Sequence, residues 1–465
     1  MTVGTPEHPL RVAIFGSGPA GFYAAEELLK QTGLSVAVDL YDRLPTPYGL
    51  VRGGVAPDHE NIKAVIKIYE RTANRPGFRF LGNVSFGEQI TRAEVLAHYH
   101  QALFCTGAKS DRRMGIPGED LPGSHPATIF VGWYNGHPDF VAESFDLSAE
   151  RVAVIGNGNV AMDVARILAA PTAELAKTDI AGYALKALEK SRVREIFLLG
   201  RRGPAQAAFT NPEIRELCDL GGVDLVVQPG ELELDPASEA FLAASKDPVH
   251  RRNLDILKGQ IAKGEGTQGR KLRARFCVSP VEVKGAGRVQ GLRLERNRLE
   301  GDGKGGAKAV GTGAFEEIAV DLVFRSIGYK GVGLPDLPFD ERGGIIPNAE
   351  GRVLDKPGGQ AISRLYVAGW IKRGPSGVIG TNKPDAIATV AHMLRDAKAL
   401  ALPAGPFDPS PAAVDALLRA KGARAVSFAD WKRIDQAEVA RGKPLGKPRE
   451  KFTTVPEMLA ALRPS

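Results

Sequence analysis

The chain has 465 residues, 43% of them hydrophobic and 25% charged. That length holds two or three domains with sizeable cores, and the balance excludes a disordered polymer or one small binding module. The 61 Lys and Arg residues outnumber the 54 Asp and Glu residues by seven, which favours negatively charged partners such as phosphates or an acidic protein. The basic residues are dispersed and accompany no helix-turn-helix or stacked-aromatic pattern, so no nucleic-acid partner is expected. No apolar run reaches the roughly 18 residues of a membrane span, and Met1–Leu10 lacks the basic-then-apolar pattern of a secretion signal. A cytoplasmic protein with no membrane partner is expected.

The first strand is predicted at Arg11–Phe15, running into Gly16-Ser-Gly18-Pro-Ala-Gly21 and a helix from Phe22 to Gln31. A second strand, Ser35–Tyr41, ends at Asp42, which completes the spacing of a βαβ unit with an acid at its tip. The stretch from Arg43 to His59 is rich in Pro and Gly and predicts a loop. An amphipathic helix from Glu60 to Arg71 and a strand at Ala102–Gly107 follow. A second unit opens with a strand at Arg151–Ile155, the turn Gly156-Asn-Gly158-Asn-Val-Ala161 and a helix from Met162 to Ala169. After a mixed helical insertion, Pro171–Ser191, its next strand at Glu195–Leu199 ends in Gly200-Arg201-Arg202. Lys263–Arg270 and Gly301–Gly313 read as surface loops, the first within a basic run from Arg251 to Arg275. Strands return at Leu322–Phe324 and Leu365–Ala368, and a helix is predicted around Ala412–Ala420.

Both turns suit a dinucleotide. Gly16, Gly18 and Gly21 remove Cβ atoms so that backbone can approach a pyrophosphate, whose charge then lies on a helix N-terminus, and Asp42 can accept hydrogen bonds from a ribose diol. The second turn ends in alanine, and the strand after it ends in two arginines where an acid would repel a 2′-phosphate. Guanidinium groups bind such a phosphate through charge-assisted hydrogen bonds. One acid-tipped and one arginine-tipped unit imply FAD and NADP(H), the chemistry that joins a hydride donor to one-electron carriers. The three cysteines, Cys105, Cys218 and Cys277, form no Cys-x-x-Cys pair and are too few for an iron–sulfur cluster, so a one-electron centre must lie on another protein. No metal site is expected.

Four stretches carry a family resemblance: Gly16-Ser-Gly-Pro-Ala-Gly-Phe-Tyr23, Tyr48-Gly-Leu-Val-Arg52 continuing to Val55-Ala-Pro-Asp-His59, Gly156-Asn-Gly-Asn-Val160, and Ala368-Gly-Trp-Ile-Lys-Arg-Gly-Pro-Ser-Gly-Val-Ile-Gly380. In this order they make the chain resemble the adrenodoxin reductase family of ferredoxin–NADP+ reductases, especially its bacterial members, from end to end. The resemblance implies an α/β fold of two Rossmann-like three-layer domains, an FAD domain (1–107 and 326–465) with an NADP domain (108–325) inserted. It puts FAD contacts on Ala20, Asp42, Leu50, Phe86, Trp370 and the backbone of Gly377, Val378 and Ile379. Asp42 stands where Glu is more usual, and Phe86 where a smaller apolar residue is common. It puts NADP contacts on Asn157, Gly158, Asn159, Val160, Arg201, Arg202, Glu213 and Gly377.

From the residues alone, Glu213 and Glu216 read as a solvated helix face and His59 as a structural loop histidine. The resemblance places His59 and Glu216 at the nicotinamide as catalytic residues, and it notes Asn211-Pro212 as a departure that bears on how that helix begins. It implies a ferredoxin–NADP+ reductase; ferredoxins are typically acidic, so the basic run Arg251–Arg275 is a candidate docking surface, and a monomer is expected. Two other readings compete: an NADPH-oxidising subunit similar to the small subunit of glutamate synthase, though without the cysteine-rich segment usual there, and a nucleotide-sensing flavoprotein without turnover.

Overall fold

A computed structural model describes residues 3–303, 306–400 and 406–463. Two separate parallel sheets organise it. The first has seven strands in the order Asn348–Ala349, Arg352–Leu354, Ala361–Val367, Gln101–Phe104, Leu10–Phe15, Val36–Tyr41 and Phe78–Leu81. Its last five are mutually parallel and the two at the opposite edge are antiparallel. The second has six parallel strands, Ser124–Pro126, Leu322–Arg325, Arg151–Ile155, Glu195–Leu199, Arg270–Arg275 and Val223–Val227. Helices cover both faces of the first sheet and one face of the second, which is why strands such as Leu10–Phe15 are buried along their whole length.

One charge lies inside that first core without loss, because it is paired. Arg11 reaches Asp39 on the neighbouring strand at 2.7 Å, and the same carboxylate accepts from Arg79 and from the Tyr99 hydroxyl, both at 2.6 Å.

Register explains the placement of both turns. Phe15 pairs with Tyr41, and the Gly16 N–H donates to the Tyr41 carbonyl at 2.9 Å, so Asp42 emerges beside the first glycine turn. Ile155 pairs with Leu199, and the Gly156 N–H donates to the Leu199 carbonyl at 2.8 Å, so Arg201 and Arg202 emerge beside the second.

Two expectations change. The glycine- and charge-rich stretch 301–313 is not all loop: Ala307–Ile318 pairs antiparallel with Gly291–Gly301, while residues 304 and 305 lie outside the described residues. Cross-strand pairing and the apolar cover this three-stranded sheet gives the second parallel sheet, through Leu292 and Leu294, override the weak local propensity of its glycines. The helix predicted from Glu60 to Arg71 is two pieces, Glu60–Lys63 and Ile66–Ala73. The loop predicted at Arg43–His59 is interrupted by a helical turn, Leu50–Gly53, and the remaining predicted elements recur within a few residues.

The chain crosses between the sheets twice, and the crossings touch: Ser110–Asp111 pairs antiparallel with Tyr329–Lys330. A second connection is ionic. Asp179, from the helical insertion, accepts from Lys63 at 2.6 Å and Lys451 at 3.1 Å, and Lys447 donates to the Ile180 carbonyl at 2.5 Å. Burial pushes the Lys451 ammonium down to about 7 even beside that carboxylate. Among the described residues no helix is long and apolar enough to cross a membrane.

Candidate active site

The first turn is closed by backbone. Gly16 has φ +104°, and a Cβ there would lie 2.5 Å from the Cys105 carbonyl oxygen, while a Cβ on Gly21 would collide with the carbonyl of Gly16 itself. Gly18 caps the helix Pro19–Leu29 and offers no side chain to its N–H groups. Two loops converge on it. Gly49 would bring a Cβ 2.9 Å from the Gly18 Cα, and Gly369 one 2.7 Å from the Ala20 Cβ, so only glycine leaves the groove open on either side.

Trp370 opens a short helix after Gly369, and its indole Nε1 is buried with no partner among the described residues. An uncapped helix end, a cradle of glycines and an orphaned donor suit a dinucleotide phosphate and its attached ring. Leu50 and Phe86 line the same end of the sheet, Phe86 packing edge-on against Phe15 and Phe104 at centroid distances of 4.9 and 5.0 Å. Gly377 (φ +79°), Val378 and Ile379 lie further along the Trp370 loop, with Val378 54% exposed.

Asp42 sits where the sequence puts it but has work already. Its Oδ2 accepts from the Ser17 N–H at 3.0 Å and the Ser17 hydroxyl at 2.5 Å, and its Oδ1 from the Leu44 N–H at 3.0 Å. The shorter acid therefore pins the glycine turn, and only its remaining lone pairs are left for a ribose.

The second turn repeats the design. Gly156 has φ +129°, and a Cβ there would collide with the Ser326 carbonyl, whereas Gly158 faces open space. Its helix, Asn159–Ala169, also lacks a side-chain cap, and Ala161 packs fully buried where the first turn needs glycine. Asn159 accepts from the Thr210 N–H at 2.9 Å, Val160 is half-buried, and the Asn157 amide nitrogen is buried without a partner.

Backbone contacts fix the arginine pair: the Arg201 carbonyl accepts from Asn297 at 2.8 Å and the Arg202 carbonyl from the Cys277 N–H at 3.1 Å. Neither guanidinium has an acidic partner among the described residues. Burial, followed by repulsion from Arg201, lowers the Arg202 pKa.

The loop that ends at His59 meets the helix of the second turn and the helix Asn211–Cys218 in a cluster of charges. His59 is 8% exposed, and its Nε2 lies 2.8 Å from Glu216 Oε2 across 157 residues of sequence. The same nitrogen is 3.9 Å from Glu213, and Nδ1 is 3.7 Å from Asp163. The helix carrying the glutamates, Asn211–Cys218, starts with Pro212 in its first turn, where a missing N–H costs nothing, so the departure at Asn211-Pro212 is benign.

His59, Glu213 and Glu216 are close enough to hold a cation, and the structure supplies one: Arg166. Only 3% exposed, it binds Asp58 at 2.7 and 3.0 Å and Asp163 at 2.7 Å, and its third nitrogen lies 3.4 Å from both glutamates. Burial, with Asp163 close by, pushes the Glu213 carboxyl up to about 7. Burial also raises Asp163, whereas at Asp58 the Arg166 fork outweighs burial and holds the group below its usual value.

The sequence pointed to His59, Glu213 and Glu216 but not to Asp58, Asp163 or Arg166. The available signal was the charged pair three residues apart in a helix that is otherwise apolar, Val160-Ala-Met-Asp-Val-Ala-Arg-Ile-Leu-Ala169.

Two glycine turns at the ends of parallel sheets, one arginine-tipped, with a buried charge cluster against the second turn's helix, define an α/β oxidoreductase with two dinucleotide sites. Residues 10–194 match the family described as pyridine nucleotide-disulphide oxidoreductase. The chain is 46% identical to NADPH-ferredoxin reductase FprA of Mycobacterium tuberculosis over 459 residues, covering 97% of this chain and 98% of that protein. It is 43% identical to the mitochondrial NADPH:adrenodoxin oxidoreductase of Salvelinus fontinalis over 474 residues, covering 100% of this chain and 93% of the other. The structure of Mycobacterium tuberculosis FprA in complex with NADPH superposes with a TM-score of 0.90 at 46% identity, covering 98% of this chain and 100% of that one. The chain belongs to the NADPH-ferredoxin reductase family, in which adrenodoxin reductase also falls.

Proposed function

We propose that this protein is an FAD-dependent ferredoxin–NADP+ reductase. The observation that carries the reading is the His59–Glu216 contact, because it joins the loop after the first βαβ unit to the helix after the arginine-tipped strand, 157 residues away. The relatives' names, NADPH-ferredoxin reductase and NADPH:adrenodoxin oxidoreductase, support it, as does a Mycobacterium tuberculosis relative named probable ferredoxin/ferredoxin–NADP reductase, 46% identical over 463 residues. We divide the chain into an FAD unit, 1–107 with 326–465, and an NADP unit, 108–325. Sheet membership and the paired crossings near both boundaries favour that division.

In this reading Gly16, Gly18, Ala20 and Gly21 receive the FAD pyrophosphate on the free helix end. Asp42 fixes the turn and reaches the ribose, and Leu50, Phe86, Trp370 and the Gly377–Ile379 backbone enclose the rest. Asn157, Gly158, Asn159 and Val160 receive the NADP pyrophosphate, Arg201 and Arg202 its 2′-phosphate, and Glu213 and Gly377 its nicotinamide end. When bound, NADP(H) and FAD would supply hydride exchange and single-electron transfer to an iron–sulfur protein. The chain's part is to orient and to hold charge. His59 and Glu216 fix the nicotinamide and set the electrostatics around it, with Arg166 holding both helices in register.

Anaerobic mixing of the flavin-loaded protein with NADPH tests the reading directly: the flavin absorbance must bleach, and cytochrome c reduction must depend on added ferredoxin. A nucleotide sensor would show neither. His59→Gln and Glu216→Ala are each expected to slow flavin reduction by roughly ten- to hundredfold, the size of a lost positioning contact. Stopped-flow rates equal to those of the unmodified protein in both variants would remove His59 and Glu216 from the machinery.

The partner is an acidic ferredoxin, and we place the enzyme in the cytoplasm as a monomer. The net positive charge favours such a partner, but the docking surface is narrower than the run Arg251–Arg275. Lys271 is bound to Asp224 at 2.6 Å, Arg273 to Glu195 and Glu265, Arg275 to Glu231 and Glu316, and Arg270 to the Ala169 carbonyl. Arg251, Arg252, Lys258 and Lys263 remain exposed without an acidic partner among the described residues. Ferredoxin reduction should weaken steeply as salt rises from about 0.05 to 0.5 M, and a flat profile would rule out electrostatic docking.

A further inference from the structure

We propose that the Glu213 carboxyl carries a proton while the nicotinamide site is empty or holds the neutral reduced ring, and gives it up when the cationic ring of NADP+ arrives. This rests on the functional reading above for where the nicotinamide lies. The site thereby exchanges one positive charge for another and distinguishes oxidised from reduced nucleotide by charge.

The geometry singles out Glu213. The groups facing one another here are Asp58 from the loop before His59, His59 itself, Asp163 and Arg166 from the helix of the second glycine turn, and Glu213 and Glu216 from the next helix. The Tyr134 hydroxyl is buried beside them without a partner among the described residues, and the Tyr329 hydroxyl is buried with Asp163 among its charged neighbours. Four carboxyl groups thus share one guanidinium and one imidazole. They cannot all ionise out of water at ordinary cost.

Their partners are unequal. Asp58 and Asp163 hold Arg166 at 2.7 Å, and Glu216 holds His59 at 2.8 Å while 44% exposed to water. Glu213 is buried, and its nearest cations stand at 3.4 and 3.9 Å. It is the acid whose ionised form is least supported, and its carboxyl accordingly titrates at about 7. A positive ring beside it reverses the balance, since an opposite charge at contact distance lowers a carboxyl pKa by roughly one to three units.

The O–H bond of Glu213 then breaks heterolytically and the proton passes to water. No electron moves. Glu216, whose carboxylate lies within 4.8 Å of Glu213 and His59, supplies the route outward.

Calorimetric titration of the flavin-loaded protein with NADP+, repeated in buffers of different ionisation heat, counts the protons released. Release should approach one per nucleotide near pH 6 and vanish near pH 8.5, with NADP+ affinity increasing by up to about tenfold for each unit that pH is raised toward neutrality. Tetrahydro-NADP carries the same 2′-phosphate but a neutral, unreactive ring, and should release none of this proton. Glu213→Gln should abolish the excess release, and Asp163→Asn should move its midpoint to lower pH. Equal release with both nucleotides, or unchanged release in Glu213→Gln, overturns the proposal while leaving the functional reading standing. Failure of either nucleotide to bind overturns both.

Discussion

Replacing Arg201 and Arg202 together with alanine is expected to raise the KM for NADPH by about two to three orders of magnitude and leave that for NADH nearly unchanged. The two guanidinium groups project from the end of the Glu195–Leu199 strand with their carbonyls tied down and no carboxylate among the described residues to satisfy them. Such a pair repels itself when empty, so binding a 2′-phosphate gains the new contacts and relieves that repulsion as well. Each charge-assisted hydrogen bond contributes about 1.5–3 kcal/mol, and two of them span the stated range after desolvation. The phosphate is remote from the reacting ring, so its contacts are equal in ground and transition states and kcat for NADPH should hold. Steady-state kinetics with both coenzymes decides it: equal losses for NADPH and NADH would show that the arginines serve the fold rather than the phosphate.

Arg166→Met should destabilise the protein by about 3–5 kcal/mol near pH 8, because it leaves Asp58, Asp163, Glu213 and Glu216 facing one another without their shared cation. The loss should shrink toward pH 5. Without the guanidinium, Asp163 and Glu213, already raised by burial, rise further, and Asp58 loses the fork that holds it below its usual value. The folded state then binds more protons than the unfolded one, so its stability is retained in acid and falls as pH rises through those raised values. Urea unfolding of the variant and the unmodified protein at both pH values measures the effect. A penalty that is the same at pH 5 and pH 8 would mean that Arg166 matters as packing volume and not as charge. The same substitution should also slow flavin reduction, since Asp58 is His59's neighbour in sequence and the Arg166 fork is what holds it.

The two nucleotide units were legible because their signals are local. A strand, a glycine turn and a helix occupy consecutive residues, and the need for positive φ at Gly16 and Gly156 is a property of the backbone at those positions. The distinction between Asp42 and the arginine pair was legible for the same reason, since parallel register delivers the residue after each second strand to the mouth of the turn. What failed locally failed where pairing partners were distant. Ala307–Ile318 looks like loop until Gly291–Gly301 lies beside it, and the basic run from Arg270 to Arg275 looks like free charge until Glu195, Asp224 and Glu231 neutralise it.

The sequence by itself determined that the chain has two glycine turns of the dinucleotide kind, that one is tipped by an acid and the other by two arginines, and that no Cys-x-x-Cys pair is present. These follow from residue types within a few positions of one another. Only the tertiary structure decided what surrounds His59. Its partners lie up to 157 residues away, and Arg166, 108 residues beyond Asp58, is held by acids drawn from three separate segments. Charges buried at the meeting of two units interact through space in a medium that screens them weakly, so their protonation and strength depend on distances that no stretch of sequence contains.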